Sequence, residues 1–577
     1  MNYASNIPST QPAALPLMRS RVLFGILLIG MGALTIRAIY LQSVQNHFLQ
    51  QKGNARAVRV IDISAHRGMI SDRHGEPLAI STPVESIWAS PQDVKASPQQ
   101  VEQLARILDM EVEDVRNRLF DNARDFVYLK RQLPPEQAEN VMKLGIPGIS
   151  MRREYRRYYP NGNITAHLLG FTNVDDNGQE GLELAFQKQL SGQVGSQRVI
   201  KDRKGHIIED VASIRAPKPG INMVLSIDNR IQYLAFREIK LAVEQHRAKA
   251  GSIIVLDAKS GEVLALANWP SYNPNNRMKP DPQLLRNHAV TDLFEPGSTL
   301  KPFAIATGLD KGNITPQTVI NTENGVMLVG KRKIHDTHPE AALTVAQVIQ
   351  KSSNVGAAKI ALSLPPETFW HSLNQSGFGT LAGSGFPGEA TGRLRNYKKW
   401  RPIEQATISY GHGISVSLLQ LARAYTIFAN NGELKPVSWV KLDAPASGNK
   451  VYSENTAREV LNMLELAVLP GGTAPLAQIS GFRVAGKTGT AHKLDDGRYI
   501  NRYISSFVGL APVSNPKLII AVMVNEPNNG QYYGGLVAAP VFSNVMSAAL
   551  RQLNVPNDAP LEPTGEKPPV YMVKGET

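Results

Sequence analysis

The sequence predicts an α+β protein: a membrane-spanning helix near the N-terminus, a mixed α/β module, and a larger domain in which helices flank an antiparallel sheet. Three observations carry this. Val22–Leu41 is an apolar run of 20 residues broken only by Thr35 and Arg37, about one bilayer span. Ser480–Thr490, Arg502–Ala511 and Leu518–Asn525 alternate like paired antiparallel strands. Helix-patterned segments lie on both sides of them, one running to about His246 and one over Ala538–Leu553, which argues for a sheet packed by helices.

In chain order, Met1–Pro16 is small, polar and expected to be unstructured. Arg19 and Arg21 precede the apolar run and place residues 1–21 on the cytoplasmic side, with 22–41 as a single-pass anchor and the remainder outside. No small-x-small cleavage site follows the run, so it reads as an anchor rather than a removed signal. Residues 42–216 mix strand and helix patterns without a catalytic constellation, and Asp72–Gly75 reads as a tight turn. Arg215-Ala216-Pro217-Lys218-Pro219-Gly220 is a linker by composition, so a domain over 217–556 is expected after it. That domain opens with a strand over Asn222–Asp228 and a helix. Gly251–Asp257 and Glu262–Asn268 then form a hairpin about the Lys259-Ser260-Gly261 turn. Thr344–Leu364 is helical in pattern, with a junction of two helices near its middle. Ser417–Asn430 reads as an amphipathic helix stopped by Asn431-Gly432. Residues 557–577 are polar and proline-rich, the pattern of a disordered tail.

Composition narrows the function. With 62 basic and 49 acidic residues the chain carries +13, which suits an anionic surface such as phospholipid or cell-wall polymer. No aromatic-and-basic nucleic-acid motif accompanies that excess. The absence of cysteine excludes thiol nucleophiles, disulfides and Cys-bound zinc. The 12 histidines contain no HExxH, no metal is expected, and no cofactor motif survives inspection.

The chemistry centres on Phe294-Glu295-Pro296-Gly297-Ser298-Thr299-Leu300-Lys301-Pro302. Ser298 and Lys301 are three apart at the start of a helical pattern, so hydroxyl and amine share a face. Pro302 requires this to be the first turn, where the dipole favours an alkoxide and a neutral lysine. A serine nucleophile can be activated that way without histidine. Ser-x-x-Lys alone is common by chance, and a plain surface helix is the blander reading. Two further motifs follow in order: Ser352-Ser353-Asn354 and Lys487-Thr488-Gly489.

Three competing patterns are set aside. Gly481–Thr488 matches G-x-x-x-x-G-K-T in full, but a phosphate-binding loop needs a helix directly after it, and here Asp495-Asp496-Gly497 signals a hairpin. Gly383–Gly388 matches a dinucleotide fingerprint only as text, because Pro387 and the lack of a βαβ setting disqualify it. His335-Asp336-Thr337-His338 reads as a strand-end loop rather than a metal site.

The ordered set Ser298-x-x-Lys301, Ser352-x-Asn354 and Lys487-Thr488-Gly489 resembles the penicillin-recognising serine acyltransferases. With Ala65–Ala79, Arg156–Pro160, Gly178–Glu183 and Gly534–Pro540, the chain resembles class B penicillin-binding proteins, in their division-specific branch, from the anchor to about Pro556. The resemblance implies a pedestal or dimerisation-type module over 42–216 and a penicillin-binding, serine β-lactamase-like transpeptidase domain over 217–556. It implies that Ser298 attacks the penultimate D-alanine of D-Ala-D-Ala stem peptides, with Lys301 as base and Ser352 as proton relay. Asn354 would orient Lys301 and the substrate, while Lys487, Thr488 and Thr490 would hold the terminal carboxylate. Backbone N–H groups of Ser298 and Thr490 would form the oxyanion hole, Gly489 would leave room for substrate backbone, and Tyr503, Tyr532 and Tyr533 would wall the cleft. β-Lactams are expected to acylate Ser298. A membrane-embedded SEDS-type glycosyltransferase (FtsW) and other divisome proteins are the implied partners, since no polymerising segment is visible. Tyr410-Gly411-His412-Gly413 departs from the branch's usual Tyr-Gly-Tyr-Gly, which leaves open an altered pH optimum and a condition-specific second copy. An elongation-type transpeptidase, a hydrolase that resolves the acyl-enzyme with water, and a non-catalytic β-lactam sensor or scaffold are the alternatives.

Overall fold

The structure is a computed structural model and describes residues 17–46, 48, 58–121, 123–201, 207–276, 281–495 and 497–561. The expectations for Met1–Pro16 and for the tail beyond Leu561 lie outside the described residues. Two compact units emerge, each discontinuous in sequence. The smaller comprises Met1–Ser64, Glu85–Arg152 and Val194–Lys218, and the larger comprises Ala65–Val84, Arg153–Gln193 and Pro219–Thr577. The larger unit therefore takes in two segments that lie before the linker read at Arg215–Gly220.

In the smaller unit, helix α1 (Leu17–Ile39) buries none of its side chains. Together with the turn that follows it is long and apolar enough to cross a membrane, with a mean hydropathy of 2.2 over its most apolar window. The remainder of this unit holds an antiparallel sheet of Val58–Ile63, Gly195–Lys201 and Ile207–Arg215. A separate core is formed where Pro98–Leu108, Val112–Leu119 and Pro135–Met142 pack on the strand Val127–Leu133. Ser97 and Gln100 start the first of these helices with a reciprocal capping box.

The larger unit is organised by one sheet. Helix α2 (Asn229–Gln245), N-capped by Asp228, leads to strands β1 (Ala250–Asp257) and β2 (Val263–Trp269). The expected strand before α2 shrinks to Met223–Val224. Helix α3 (Lys301–Asp310) follows, then a small hairpin of β3 (Val326–Val329) and β4 (Arg332–His335). Helices α4 (Val345–Lys351) and α5 (Asn354–Leu362) come next, and after them α6 (Leu418–Ala424) and α7 (Glu454–Leu466). Strands β5 (Ala485–Asp495), β6 (Arg498–Ala511) and β7 (Leu518–Asn525) precede helix α8 (Ala539–Gln552).

The sheet order is β2-β1-β7-β6-β5, antiparallel throughout. Its side chains alternate between two cores. Ile254, Leu256, Val508 and Ile519 face the core that contains Phe303 and Leu421. Ile253, Val255, Phe507 and Ile520 face the core that contains Ile239 and Phe542. Both faces are covered, which is why β1 and most of β7 are buried at every position. The segment expected as an amphipathic helix over Ser417–Asn430 is instead a pair of short helices, Leu418–Ala424 and Thr426–Ala429, buried almost all round. It lies between the sheet and the rest of the helical layer, so it has no solvent face to keep polar.

A buried charge cluster fixes the segment around Gly181 within this unit. Glu183 accepts from Arg67 Nε at 2.8 Å and from Arg157 Nε at 2.6 Å, all three side chains being within 1% of full burial. Glu183→Ala would leave two guanidinium groups uncompensated. The expected result is a loss of about 3–5 kcal/mol in urea unfolding, and a loss under 1 kcal/mol would count against this cluster as a structural anchor.

Candidate active site

Ser298 sits in a tight 3-10 turn, Gly297–Leu300, that runs directly into α3. Pro302 occupies the first turn of α3, where it costs no hydrogen bond. Gly297 has φ +57°, a left-handed conformation that favours glycine. A Cβ at Gly297 would lie 3.5 Å from Thr490 N, so the Ser298 turn and β5 abut. Ser298 is half-buried, and among the described residues its Oγ has no hydrogen-bond partner.

Lys301 is fully buried, and its Nζ donates to Ser352 Oγ at 3.1 Å and also to the Ser352 carbonyl. Burial holds this amine well below the usual lysine value. Lys487 lowers it further, and the Asp336 carboxylate opposes the shift. Lys487 is likewise fully buried, with Nζ 3.2 Å from Thr488 Oγ1, and desolvation brings it down to about 7. A buried amine with a depressed proton affinity beside a second buried lysine suits general-base chemistry in this site.

The expected helix junction is realised at Ser352, which ends α4 in the left-handed region at φ +62°. Ser353 then caps α5, accepting from Gly356 N at 2.9 Å. This sharp reversal turns Ser352 toward Lys301. Asn354 does not bond Lys301 as expected: its Nδ2 donates to the His335 carbonyl at 2.8 Å.

Asp336, weighed from sequence only as part of a discarded metal pattern, holds this junction. Its carboxylate accepts from Ser353 Oγ at 2.6 Å, from Val355 N at 2.9 Å and from Asn354 N. The 335–338 stretch does lie at the end of β4, and no group of metal-ligating side chains occurs among the described residues. Nothing local marks Asp336, because its partners are 17–19 residues away. Asp336→Ala strips a charged acceptor from three donors, two of them the first N–H groups of α5. We expect roughly 1–3 kcal/mol lost in thermal or urea unfolding and about a tenfold slower acylation, read as the rate of β-lactam adduct formation.

β5 carries Lys487-Thr488-Gly489-Thr490 on the edge of the sheet, where its outer backbone groups are open to an added strand. The continuation into a Gly497 turn and β6, not a helix, rules out the phosphate-binding reading. Gly489 is also constrained from within the fold. Its absent Cβ would point at Ser506 Oγ (2.4 Å) and the Pro296 carbonyl (2.7 Å), so the glycine lets the Ser298 turn dock on β5. Thr490 Oγ1 accepts from Gly534 N at 3.0 Å, and Thr488 Oγ1 lies 3.0 Å from Thr473 Oγ1, a neighbour not anticipated.

Tyr503, Tyr532 and Tyr533 come together as a ladder beside Thr490. Tyr503 and Tyr532 stack at 4.0 Å and 14°, Tyr532 and Tyr533 are tilted by 32° at 4.6 Å, and Tyr533 is 40% exposed. His412 packs between Tyr410 and Tyr499, with Nδ1 3.4 Å from Glu295 Oε2. Burial, with Lys301 and His492 nearby, pushes His412 down to about 4.

A serine with an uncommitted hydroxyl, a buried amine three residues on, a second serine bonded to that amine, and a Lys-Thr-Gly edge strand define a penicillin-recognising serine acyltransferase site. Residues 251–547 match the penicillin binding protein transpeptidase domain, and residues 62–225 match the penicillin-binding protein dimerisation domain. The chain belongs to the penicillin-binding protein transpeptidase family, in its class B, division-type branch. It is 44% identical to the probable peptidoglycan D,D-transpeptidase PenA of Neisseria gonorrhoeae over 558 residues, 96% of this chain and 94% of that one. It is 42% identical to the peptidoglycan D,D-transpeptidase FtsI of Escherichia coli K12 over 565 residues, 97% of this chain and 95% of that one. The apo structure of the TP domain of Burkholderia pseudomallei penicillin-binding protein 3 superposes with a TM-score of 0.54 at 48% identity, covering 58% of this chain and 98% of that one.

Proposed function

We propose that Ser298 is the acylated nucleophile, with Lys301 as its base and Ser352 as the proton relay, in a peptidoglycan D,D-transpeptidase of septal wall synthesis. The enzyme cross-links stem peptides and is a target of β-lactams. The observation that carries the assignment is the fully buried Lys301 amine bonded to Ser352 beside the Ser298 turn. Ser298 Oγ attacks the penultimate D-alanyl carbonyl and passes its proton to Lys301. Ser352, bonded to that amine, relays it to the departing D-alanine. The N–H of Ser298, which has no intrahelical acceptor in the first turn, and that of Thr490 stabilise the oxyanion, each worth about 3–4 kcal/mol. Lys487, Thr488 and Thr490 take the terminal carboxylate, Gly489 seats the nucleophile turn on β5, and the Tyr503–Tyr532–Tyr533 ladder walls the cleft. An acceptor amine then resolves the ester.

The dimerisation-type module over 42–216 supports a transpeptidase domain over 217–556, and 557–577 forms the tail. The expected disorder does not hold at the start of that tail, where Asp558 N and Ala559 N donate to the Gly481 carbonyl. α1 anchors the chain with residues 1–21 in the cytoplasm and the catalytic domain in the periplasm, working beside a membrane-embedded SEDS-type glycosyltransferase such as FtsW. Intact-protein mass spectrometry after penicillin treatment tests the reaction type. One adduct that persists for hours is expected. An adduct lost within seconds as drug is consumed would make the protein a hydrolase, and none at all a scaffold.

A further inference from the structure

The last turn of α4 carries two donors that the reaction above does not use. Lys351 immediately precedes Ser352, and Gln350 precedes Lys351. Both side chains are half-buried, and among the described residues neither Lys351 Nζ nor Gln350 Nε2 has a hydrogen-bond partner. They converge on one point. A Cβ placed on Gly471 would lie 3.8 Å from Lys351 Nζ and 3.9 Å from Gln350 Nε2. Gly471 is exposed, and its φ of +83° disfavours any other residue, so the space in front of the two donors stays open. The same loop reaches the carboxylate clamp, since Thr473, two residues on, has its hydroxyl 3.0 Å from that of Thr488. The donors thus lie at the Thr488 end of the site, where the terminal D-alanine leaves and its replacement must enter.

We propose that Lys351 and Gln350, across from Gly471, form an anion subsite for the acceptor, selecting amines that carry a carboxylate beyond the one on the amine-bearing carbon. This rests on the transpeptidase reading above and adds a preference at its second step. The subsite bonds the acceptor's extra carboxylate, and the chemistry is otherwise unchanged. The amine forms a C–N bond to the acyl carbon, the Ser298 ester C–O bond breaks, and the proton lost by the amine returns to Ser298 Oγ. Without such a ligand, Lys351 at the end of α4 would merely complement the helix dipole, a role indifferent to acceptor structure.

The test uses the full-length protein, a thioester donor ending in D-alanine, and two near-isosteric acceptors, D-glutamate and D-glutamine. Aminolysis product is measured relative to hydrolysis. The wild type is expected to favour D-glutamate by roughly two- to fivefold, the range a partly exposed ion pair supports, and less so at high salt. Lys351→Met should erase that preference, Lys351→Glu invert it, and Lys351→Arg keep it. Equal use of both acceptors by the wild type, or a preference that survives in Lys351→Met, overturns the subsite. Penicillin is run in parallel on the wild type. A stable Ser298 adduct with no acceptor preference sinks only the subsite, whereas no adduct sinks the transpeptidase reading beneath it. A melting curve for each variant excludes misfolding as the source of a lost preference.

Discussion

Ser298→Ala is expected to abolish the β-lactam adduct and peptide cross-linking while leaving the melting temperature within a few degrees of the wild type. The side chain is half-buried and its Oγ makes no hydrogen bond among the described residues, so its removal breaks nothing that holds the turn. Its loss removes the atom that must form the ester. By comparison with nucleophile deletions in other serine enzymes the rate should fall by about 10⁶, which intact-mass measurement reads as no adduct. An adduct of unchanged yield on the Ala variant would place the nucleophile elsewhere and undo the assignment.

The second large effect concerns the two lysines and pH. Lys301 must be a free amine to take the proton, and burial with Lys487 nearby lowers its affinity for one. Acylation should therefore fall as pH drops through that depressed value. Lys487 must be charged to hold a carboxylate, and its value of about 7 means that it loses charge as pH rises through neutrality. Loss of the Lys487 charge is therefore expected to give the profile an alkaline limb near 7. Lys487→Arg keeps the charge at every working pH and should move that limb upward by more than one unit. Lys301→Arg, which has no free amine to offer, should cost roughly 10²–10⁴ in acylation rate. An alkaline limb that stays in place in Lys487→Arg would show that another group sets it. The same shift bears on stability. A lysine at about 7 in the fold and 10.5 when unfolded binds more protons in the unfolded state between those values. Its contribution to stability therefore rises with pH from about 7 to 10.5.

His412 is a case where residue type alone misleads. An imidazole suggests a switch near neutrality, but the packing of Tyr410 and Tyr499 and the proximity of Lys301 remove it from that range. The side chain at this position is then a neighbour of Glu295 whose proton affinity is held down by burial.

The sequence by itself determined the family and the order of its motifs. Ser298, Lys301, Ser352 and Lys487-Thr488-Gly489 stand in short local motifs, and spacing within a turn or strand reports which atoms share a face. Pro302 and the Asp495–Gly497 turn likewise fixed where α3 begins and that β5 returns as a hairpin. Only the tertiary structure decided what depends on distant partners. Asp336 caps the Ser352–Asn354 junction from another hairpin, and Thr473 meets Thr488 from another loop. Gly489 is crowded by Pro296 and Ser506, which meet it from other segments. The segments 65–84 and 153–193 join the catalytic unit despite preceding the linker. Periodicity and turn chemistry act over a few residues, whereas burial, and the pKa shifts that come with it, are set by whichever chain segments pack around a group.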